Sequence, residues 1–203
     1  MHTRILLAED VPMVRGALAA LLELEADLTV VASVSRGDDI VPTALETRPD
    51  VAVLDIDLPG TDGLTAATEL HQKLPSCRTL ILTSFGGPGM LRRALAAQVS
   101  GYLLKDAPPS QLARSVRAVA AGQRAIDSEL LLDAWNYPES PLSARETEVL
   151  RQTARGADVG EIANGLCLSK GTVQNYLTSV VTKLGARNRI DAVRIAYDQG
   201  WLP

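Results

Sequence analysis

Cysteine is nearly absent from this chain. Cys77 and Cys167 lie far apart and neither has a CxxC partner, which removes a disulfide framework and a zinc site from consideration. Histidine is as scarce: His2 and His71 have no ligand-spaced neighbours and read as solvated side chains. No apolar run approaches the ~18 residues of a membrane span. Near the N-terminus, Ile5-Leu6-Leu7-Ala8 meets Glu9-Asp10 too soon for a signal peptide. The expectation is a soluble cytoplasmic protein with no membrane association. An excess of positive charge is also missing. The net charge of -4 excludes a molecule that is a basic nucleic-acid binder throughout. The charge is uneven, however. Pro138 to Pro203 carries eight Lys/Arg against seven Asp/Glu, and the preceding part twelve against seventeen. A weakly basic small domain behind an acidic larger one is compatible with a DNA-facing C-terminal piece.

What the chain does contain is organised around Val51-Ala52-Val53-Leu54-Asp55-Ile56-Asp57-Leu58-Pro59-Gly60. Four apolar residues run straight into a carboxylate, the pattern of a buried parallel strand bounded by turn signals. In open α/β sheets ligands bind outside the carboxyl ends of the strands, and Asp55 sits at such an end. Similar strands are predicted at Arg4 to Ala8, Leu28 to Val34, Thr79 to Thr83 and Gly101 to Leu104. Helical spacing follows each of them: Val14, Leu18, Leu21 and Leu22 first, then about Gly37 to Thr47, Thr61 to Leu74, Met90 to Ala97, and Pro108-Pro109 through about Ala121. Pro42 weakens the second of these helices. Strict alternation implies right-handed crossovers. The fold class is therefore α/β, with a flavodoxin-like, doubly wound, five-stranded parallel sheet over residues 1–121. Residues 122–140, with Trp135, Asn136 and Pro138-Glu139-Ser140-Pro141, read as a partly helical linker. Residues 141–203 read as a smaller all-α helix-turn-helix domain.

The strand ends bring Glu9-Asp10, Asp55, Thr83 and Lys105 to one edge of the sheet. Asp10, Asp55 and Glu9 form a hard oxygen-donor cluster of the kind that suits Mg²⁺. With that charge neutralised, a phosphoryl donor can approach Asp55, and a carboxylate nucleophile yields an aspartyl-phosphate. The transferring group spreads its charge over three oxygens, for which magnesium, the Lys105 ammonium and the Thr83 hydroxyl are suitable partners. Each residue alone has an ordinary reading: a strand-end hydroxyl, a surface lysine, a helix cap. Their joint position at the ends of parallel strands argues for a site.

Ala8-Glu9-Asp10, Leu54-Asp55-Ile56-Asp57-Leu58-Pro59-Gly60, Leu82-Thr83-Ser84 and Gly101-Tyr102-Leu103-Leu104-Lys105-Asp106 resemble the receiver domain of two-component response regulators. The resemblance implies Asp55 as phosphoacceptor. It implies magnesium held by Asp10 and Asp55, with Glu9 acting through water and Asp57 through its backbone carbonyl. Thr83 and Tyr102 become the switch pair and Lys105 the partner of the phosphate. Glu9 stands where many receivers have Asp.

In the C-terminal part, Ser143-Ala144-Arg145-Glu146 fits a capping box. Asp158-Val159-Gly160-Glu161 starts a second helix and Ser169 a third, in which Val173, Leu177, Val180 and Leu184 form an inward stripe. Arg189 to Asp198 makes a fourth, with Ile190, Val193 and Ile195-Ala196 available for burial. The outer face of the third helix offers Lys170, Thr172, Gln174, Asn175, Thr178 and Thr182 to base edges, and Lys170, Lys183 and Arg187 to phosphates. On spacing alone, a helical interaction domain with a solvated face is the other reading. Leu142-Ser143-Ala144-Arg145-Glu146-Thr147-Glu148-Val149-Leu150, Glu161-Ile162-Ala163, Ser169-Lys170-Gly171-Thr172-Val173 and Lys183-Leu184-Gly185-Ala186 resemble the LuxR-type helix-turn-helix. The whole chain thus resembles a NarL/FixJ-type response regulator. Phe85 with Pro88-Gly89, Asn175-Tyr176, Asn188-Arg189-Ile190 and Gly200-Trp201 resemble its DesR-like branch of membrane-fluidity regulators. Gln174, Tyr176 and Val159-Gly160 depart from the common family pattern, which leaves the operator open.

The resemblance implies a transcription regulator rather than an enzyme, with phosphoryl chemistry confined to Asp55. A sensor histidine kinase donates to Asp55. The receiver then dimerises, through its first and fifth helices or the face around Tyr102, and paired recognition helices meet half-sites on double-stranded DNA, with RNA polymerase as a further partner. The alternatives are a phosphorylation-independent regulator whose receiver is a dimer or ligand module, and an aspartyl-phosphate hydrolase with a helical accessory domain.

Overall fold

The apolar runs that stop at polar residues form strands β1 (Thr3–Ala8), β2 (Leu28–Val34), β3 (Val51–Leu54), β4 (Arg78–Thr83), β5 (Gly101–Leu104) and a short β6 (Ala125–Ile126). They make one parallel sheet in the order β2-β1-β3-β4-β5-β6. The structure, a computed structural model, describes residues 2–84, 87–127, 131 and 140–202. The chain divides into two compact units, Met1–Gly86 with Leu91–Asp133 and Ala134–Pro203 with Gly87–Met90. Much of the expected linker, including Trp135, Asn136 and Pro138-Glu139, lies outside the described residues, as does Phe85.

The centre of the sheet is β3, whose Val51, Ala52, Val53 and Leu54 are all 0% exposed. A continuous apolar run is what a strand covered on both faces requires. The covering helices are α1 (Pro12–Glu23), α2 (Ile40–Thr47), α3 (Gly63–Lys73), α4 (Pro88–Ala96) and α5 (Pro109–Ala120). Pro42 is accommodated because a 3-10 turn, Gly37–Asp39, precedes α2 and places the proline in the helix's first turn. On one side Leu112, Val116 and Val119 of α5 and Leu22 of α1 pack against Ile5, Leu7, Val53, Leu80 and Leu82.

The sheet has one strand more than the five expected. Ala125 pairs with Gly101 and Ile126 with Tyr102. Two residues are too short to show a period, so the sequence carried no strand signal there. The first helix also differs from its expected stripe. Leu22 is buried, but Leu21 is 36% exposed, together with Val11, Met13 and Leu24. A helix as uniformly apolar as α1 leaves its phase ambiguous, because 3.6-residue spacing is satisfied by more than one set of positions.

The second unit consists of α6 (Ala144–Ala154), α7 (Val159–Gly165), α8 (Lys170–Lys183) and α9 (Arg189–Asp198). Its starts are capped by Ser143, Asp158, Ser169 and Asn188, and the Ser143–Glu146 and Asp158–Glu161 pairs both form reciprocal capping boxes. Val173, Leu177 and Val180 of α8 are buried as expected. Ile190, expected inward, is 74% exposed, while Asp191 and Ala192 beside it are buried. The reason is local electrostatics. Asp191 accepts from the Arg187 backbone N–H at 3.0 Å and pairs with Arg187 and Arg194, which turns that side of α9 inward and Ile190 out.

Glu146 is the polar centre of this unit. It is 4% exposed and accepts from the Ser143 backbone at 2.6 Å, Ser179 Oγ at 2.6 Å and Lys183 Nζ at 2.7 Å. Burial pushes its carboxyl up, but the hydrogen bonds from Lys183, Ser179 and Ser143 outweigh burial and hold it at about 2, below the ordinary 4.5. A carboxyl held low in the folded state stabilises above its unfolded pKa and loses that contribution as pH falls. The Glu146 contribution is therefore full above pH 4.5 and fades toward pH 2. Glu146→Ala removes the reciprocal half of the α6 capping box and the buried partner of Lys183 and Ser179, at a cost of about 3 kcal/mol. Amide hydrogen exchange should show protection in α6 and α8 lowered roughly 100-fold at pH 7 and little changed near pH 2. Equal losses at both pH values would count against the assignment.

Candidate functional site

The parallel register places the acidic cluster. Ile5–Ala8 pairs with Val51–Leu54 residue by residue, so β1 and β3 end side by side at Ala8 and Leu54. Glu9 and Asp55 are the next residues on each strand, and the Asp55 backbone N–H donates to the Ala8 carbonyl at 2.9 Å. Both carboxylates are buried, Glu9 at 1% and Asp55 at 6% exposure. On the other side of β4, the Lys105 backbone N–H donates to the Thr83 carbonyl at 2.8 Å and brings the lysine to the same edge.

Lys105 compensates the buried charge. Its Nζ donates to Asp55 Oδ2 at 2.8 Å and lies 2.7 Å from Glu9 Oε2. Burial disfavours the charged ammonium, but the hydrogen bonds and charges of Asp55 and Glu9 outweigh it and raise Lys105 above its ordinary range. Asp55 Oδ1 accepts from the Ile56 backbone N–H at 2.8 Å. Glu9 Oε1 accepts from the Val11 N–H at 3.3 Å, and its buried Oε2 faces the Lys105 ammonium.

One carboxylate oxygen from each of Glu9, Asp10 and Asp55 lies within 4.8 Å of the other two. Two of these carboxylates, Glu9 and Asp55, share the Lys105 ammonium, and all three donors are hard oxygens. That donor set fits a divalent cation such as Mg²⁺. Asp57 sits two residues beyond Asp55, exposed. Its carboxyl is raised, first by desolvation and then by the negative charge of Asp55.

Thr83 is 0% exposed and Tyr102 2%. Ile81 pairs with Tyr102 and Thr83 with Leu104, and residues two apart on a strand share a face. Thr83 and Tyr102 therefore lie on the same face of adjacent strands. Burial raises the Tyr102 hydroxyl above its ordinary range.

Arg15 is a site residue that the sequence reading missed. Its Nη1 donates to the Glu9 carbonyl at 2.6 Å and to the Asp10 carbonyl at 3.3 Å, pinning the acidic loop to α1. An arginine that binds main-chain carbonyls leaves no pairing signal in sequence.

In the second unit, Ser169, Lys170, Gln174, Asn175, Thr178 and Lys183 are exposed and Thr172 partly so. Ser169 Oγ accepts from the Thr172 N–H at 3.1 Å as the cap of α8. The Thr178 hydroxyl donates to the Gln174 carbonyl at 2.9 Å. Lys183, expected to face phosphate, is ion-paired to Glu146 and its side chain is 40% exposed.

The comparisons with known proteins agree with this division. Residues 5–117 match the response regulator receiver domain, and residues 140–196 match the bacterial regulatory proteins of the luxR family. The chain is 43% identical to the transcriptional regulatory protein DesR of Bacillus subtilis (strain 168), over 97% of this chain and 98% of that one. A structure of two RcsB dimers bound to two parallel DNAs superposes with a TM-score of 0.69 at 25% identity, covering 98% of this chain and 99% of that one. RcsB from Salmonella enterica serovar Typhimurium, bound to promoter rprA in the presence of the phosphomimetic BeF3-, gives a TM-score of 0.68 at 28% identity, with 96% and 98% covered.

Removing Lys105 leaves two buried carboxylates facing each other. Lys105→Met should lower stability at neutral pH by about 3 kcal/mol. Millimolar Mg²⁺ should raise the melting temperature of the variant more than that of the wild type, because a bound cation replaces the missing charge. Equal Mg²⁺ responses would argue against a cation at this cluster.

Proposed function

The chain belongs to the NarL/FixJ-type two-component response regulators, which join a receiver domain to a LuxR-type DNA-binding domain and regulate transcription, and from that premise we propose that Asp55 is its phosphoacceptor and that phosphorylation drives dimerisation and operator binding. The observation that carries this reading is the buried Asp55 carboxylate held at 2.8 Å by Lys105 beside two further carboxylates. In the transfer, an Asp55 oxygen forms a new bond to phosphorus while the P–N bond of a kinase phosphohistidine breaks, its electron pair returning to the imidazole. Asp10, Asp55 and the Asp57 backbone carbonyl would hold Mg²⁺, with Glu9 acting through water. Bound there, the ion supplies charge neutralisation of the transferring oxygens. Lys105 stays protonated, can swing from the carboxylate to a phosphoryl oxygen and keeps that charge compensated. The Ile56 N–H holds Asp55 Oδ1 in place meanwhile.

A phosphoryl group adds about -1.5 to -2 charge and strong acceptor oxygens. The Thr83 hydroxyl is the nearest candidate to answer it from β4. Tyr102, on the same face, then has room to move, so the two act as a switch pair. For the dimer face we favour α1 with α5. The outward surface of α1 carries Met13 at 83% and Leu24 at 81% exposure, with Val11 and Leu21 also exposed. Contiguous exposed apolar surface marks an association site. The RcsB dimers on DNA support a dimer on DNA here, with α8 as the recognition helix and paired half-sites about one helical turn apart. Cytoplasmic location accords with these partners. Among the described residues no helix is long and apolar enough to cross a membrane.

The test is the mass in solution with and without acetyl phosphate plus Mg²⁺. The wild type should shift from monomer to dimer, and Asp55→Ala should stay monomeric. A wild-type mass that does not respond favours a receiver that works without phosphorylation. Met13→Glu with Leu24→Glu should leave folding within about 0.5 kcal/mol, since both side chains are exposed, and abolish the dimer. On the DNA side, Gln174→Ala and Asn175→Ala should each cost about 1–3 kcal/mol of discrimination at one base position, read by binding to operator variants at fixed salt. A uniform loss across all sequences would reassign these residues to backbone contacts.

A further inference from the structure

The loop that follows Asp55 is not left to itself. Between β3 and α3 the chain runs through Ile56-Asp57-Leu58-Pro59-Gly60-Thr61-Asp62. Its inner end is closed by the Gly63 N–H on the Ile56 carbonyl at 2.9 Å and the Leu58 N–H on the same carbonyl at 3.0 Å. Its tip is held from outside by the 3-10 turn Gly37–Asp39. The Gly37 N–H donates to the Pro59 carbonyl at 3.1 Å. Asp38 Oδ1 accepts from the Thr61 N–H at 3.0 Å and from the Thr61 hydroxyl at 2.7 Å. The other oxygen, Asp38 Oδ2, accepts from Arg36 Nη2 at 2.9 Å. The fit is close on both sides. A Cβ at Gly37 would fall 1.6 Å from the Thr61 carbonyl oxygen, and one at Gly60, where φ is +83°, 2.0 Å from Asp38 Oδ2. Side chains in either place would force turn and loop apart.

We propose that Asp38 is a positioning residue for the phosphoacceptor site: by gripping Thr61 it fixes the loop that carries the Asp57 backbone carbonyl, and so sets the affinity of the acidic cluster for Mg²⁺. The inference rests on the reading of Asp55 as phosphoacceptor with Asp57 as a main-chain ligand. Its physical basis is the rigidity that magnesium demands. The ion needs near-ideal octahedral oxygen geometry, and a loop free to move must be ordered at the expense of binding. Asp55 is fixed by the sheet, but Asp57 is three residues beyond the last strand position and depends on the loop. Thr61, four residues further on, is the point where an outside element takes hold. Asp38 touches neither the cluster nor the phosphoryl position, so its effect is transmitted through the backbone alone.

The test separates positioning from folding and from the parent reading. Mg²⁺ titrations of the full chain, followed by NMR amide shifts without any phosphoryl donor, give the dissociation constant directly. Amide hydrogen exchange of Thr61 in the metal-free protein reports the clamp itself. Asp38→Ala should weaken Mg²⁺ binding about tenfold, in line with the loss of a supporting outer contact, and should expose the Thr61 amide. Asp38→Asn keeps an acceptor for Thr61 and should restore most of both, and Arg36→Ala should change little. With acetyl phosphate, Asp38→Ala should need more Mg²⁺ but reach the wild-type extent of Asp55 phosphorylation at saturation. A merely misfolded fraction would instead lower the final extent at every Mg²⁺ concentration. An exposed Thr61 amide with unchanged Mg²⁺ affinity overturns the inference and leaves the phosphoacceptor reading intact. A wild-type chain that binds Mg²⁺ but takes no phosphoryl group at Asp55 overturns the parent reading instead.

Discussion

Two buried carboxylates and one ammonium set the terms for the first unit. Glu9 and Asp55 are brought together by main-chain register, which the apolar packing of β1 and β3 enforces regardless of charge. Unpaired ionised groups at 1% and 6% exposure would cost several kcal/mol each. Lys105 is positioned to lower that cost because β5 continues past Leu104 along β4. One cation cannot neutralise three carboxylates. The residual negative charge is what a divalent ion answers, and the same lysine can answer a phosphoryl group. Stability and function thus draw on one arrangement, and the sheet that creates the electrostatic problem also holds its solution in place.

The arrangement was legible in the sequence to the extent that it depends on strand ends. A carboxylate directly after an apolar run marks where a parallel strand stops, and the ends of parallel strands share an edge whatever the loops do. Glu9, Asp10, Asp55, Thr83 and Lys105 follow from that alone. Details that depend on helix phase were less legible. Leu21 and Leu22 both fit the helical spacing, yet Leu22 is buried and Leu21 faces solvent, because α1 is apolar nearly all round. Ile190 is exposed because Asp191 with its arginines, and the fully buried Ala192 and Ala196, take the inward side of α9. The least legible contacts are those between side chains and main chain. Arg15 on the Glu9 carbonyl and Asp38 on the Thr61 N–H involve residues distant in sequence or paired with groups every residue possesses. β6 escaped for another reason, since two residues cannot display alternation.

The helix-turn-helix unit shows how far a motif's pattern and its electrostatics can diverge. Lys183 stands near the end of the recognition helix, where a phosphate contact was expected, yet its ammonium lies 2.7 Å from a carboxylate that is nearly buried. The same contact completes the polar centre that joins α6 to α8. Arg187 and Arg194 converge on Asp191 in the same manner, and Arg151 pairs with Glu148. Among the described residues, four of the eight basic residues from Pro138 onward therefore sit in ion pairs within their own unit.

That pairing bears on why dimerisation should control such a protein. Non-specific affinity for DNA is set mainly by the number of phosphates neutralised, and each cation already facing a carboxylate contributes less to that count. Arg187, itself largely exposed, can leave Asp191 for solvent. Lys183 is held by a buried partner and opens less readily. On the proposed reading, one copy of the unit is left with a small electrostatic term and a short row of base-reading side chains. Two copies held together bind as one body, the second contact forming at the high effective concentration set by the first. A weakly basic DNA-binding unit thus favours an operator occupancy that depends on association, and in the proposed switch association is the step that a charge placed at the acidic edge of the sheet would govern.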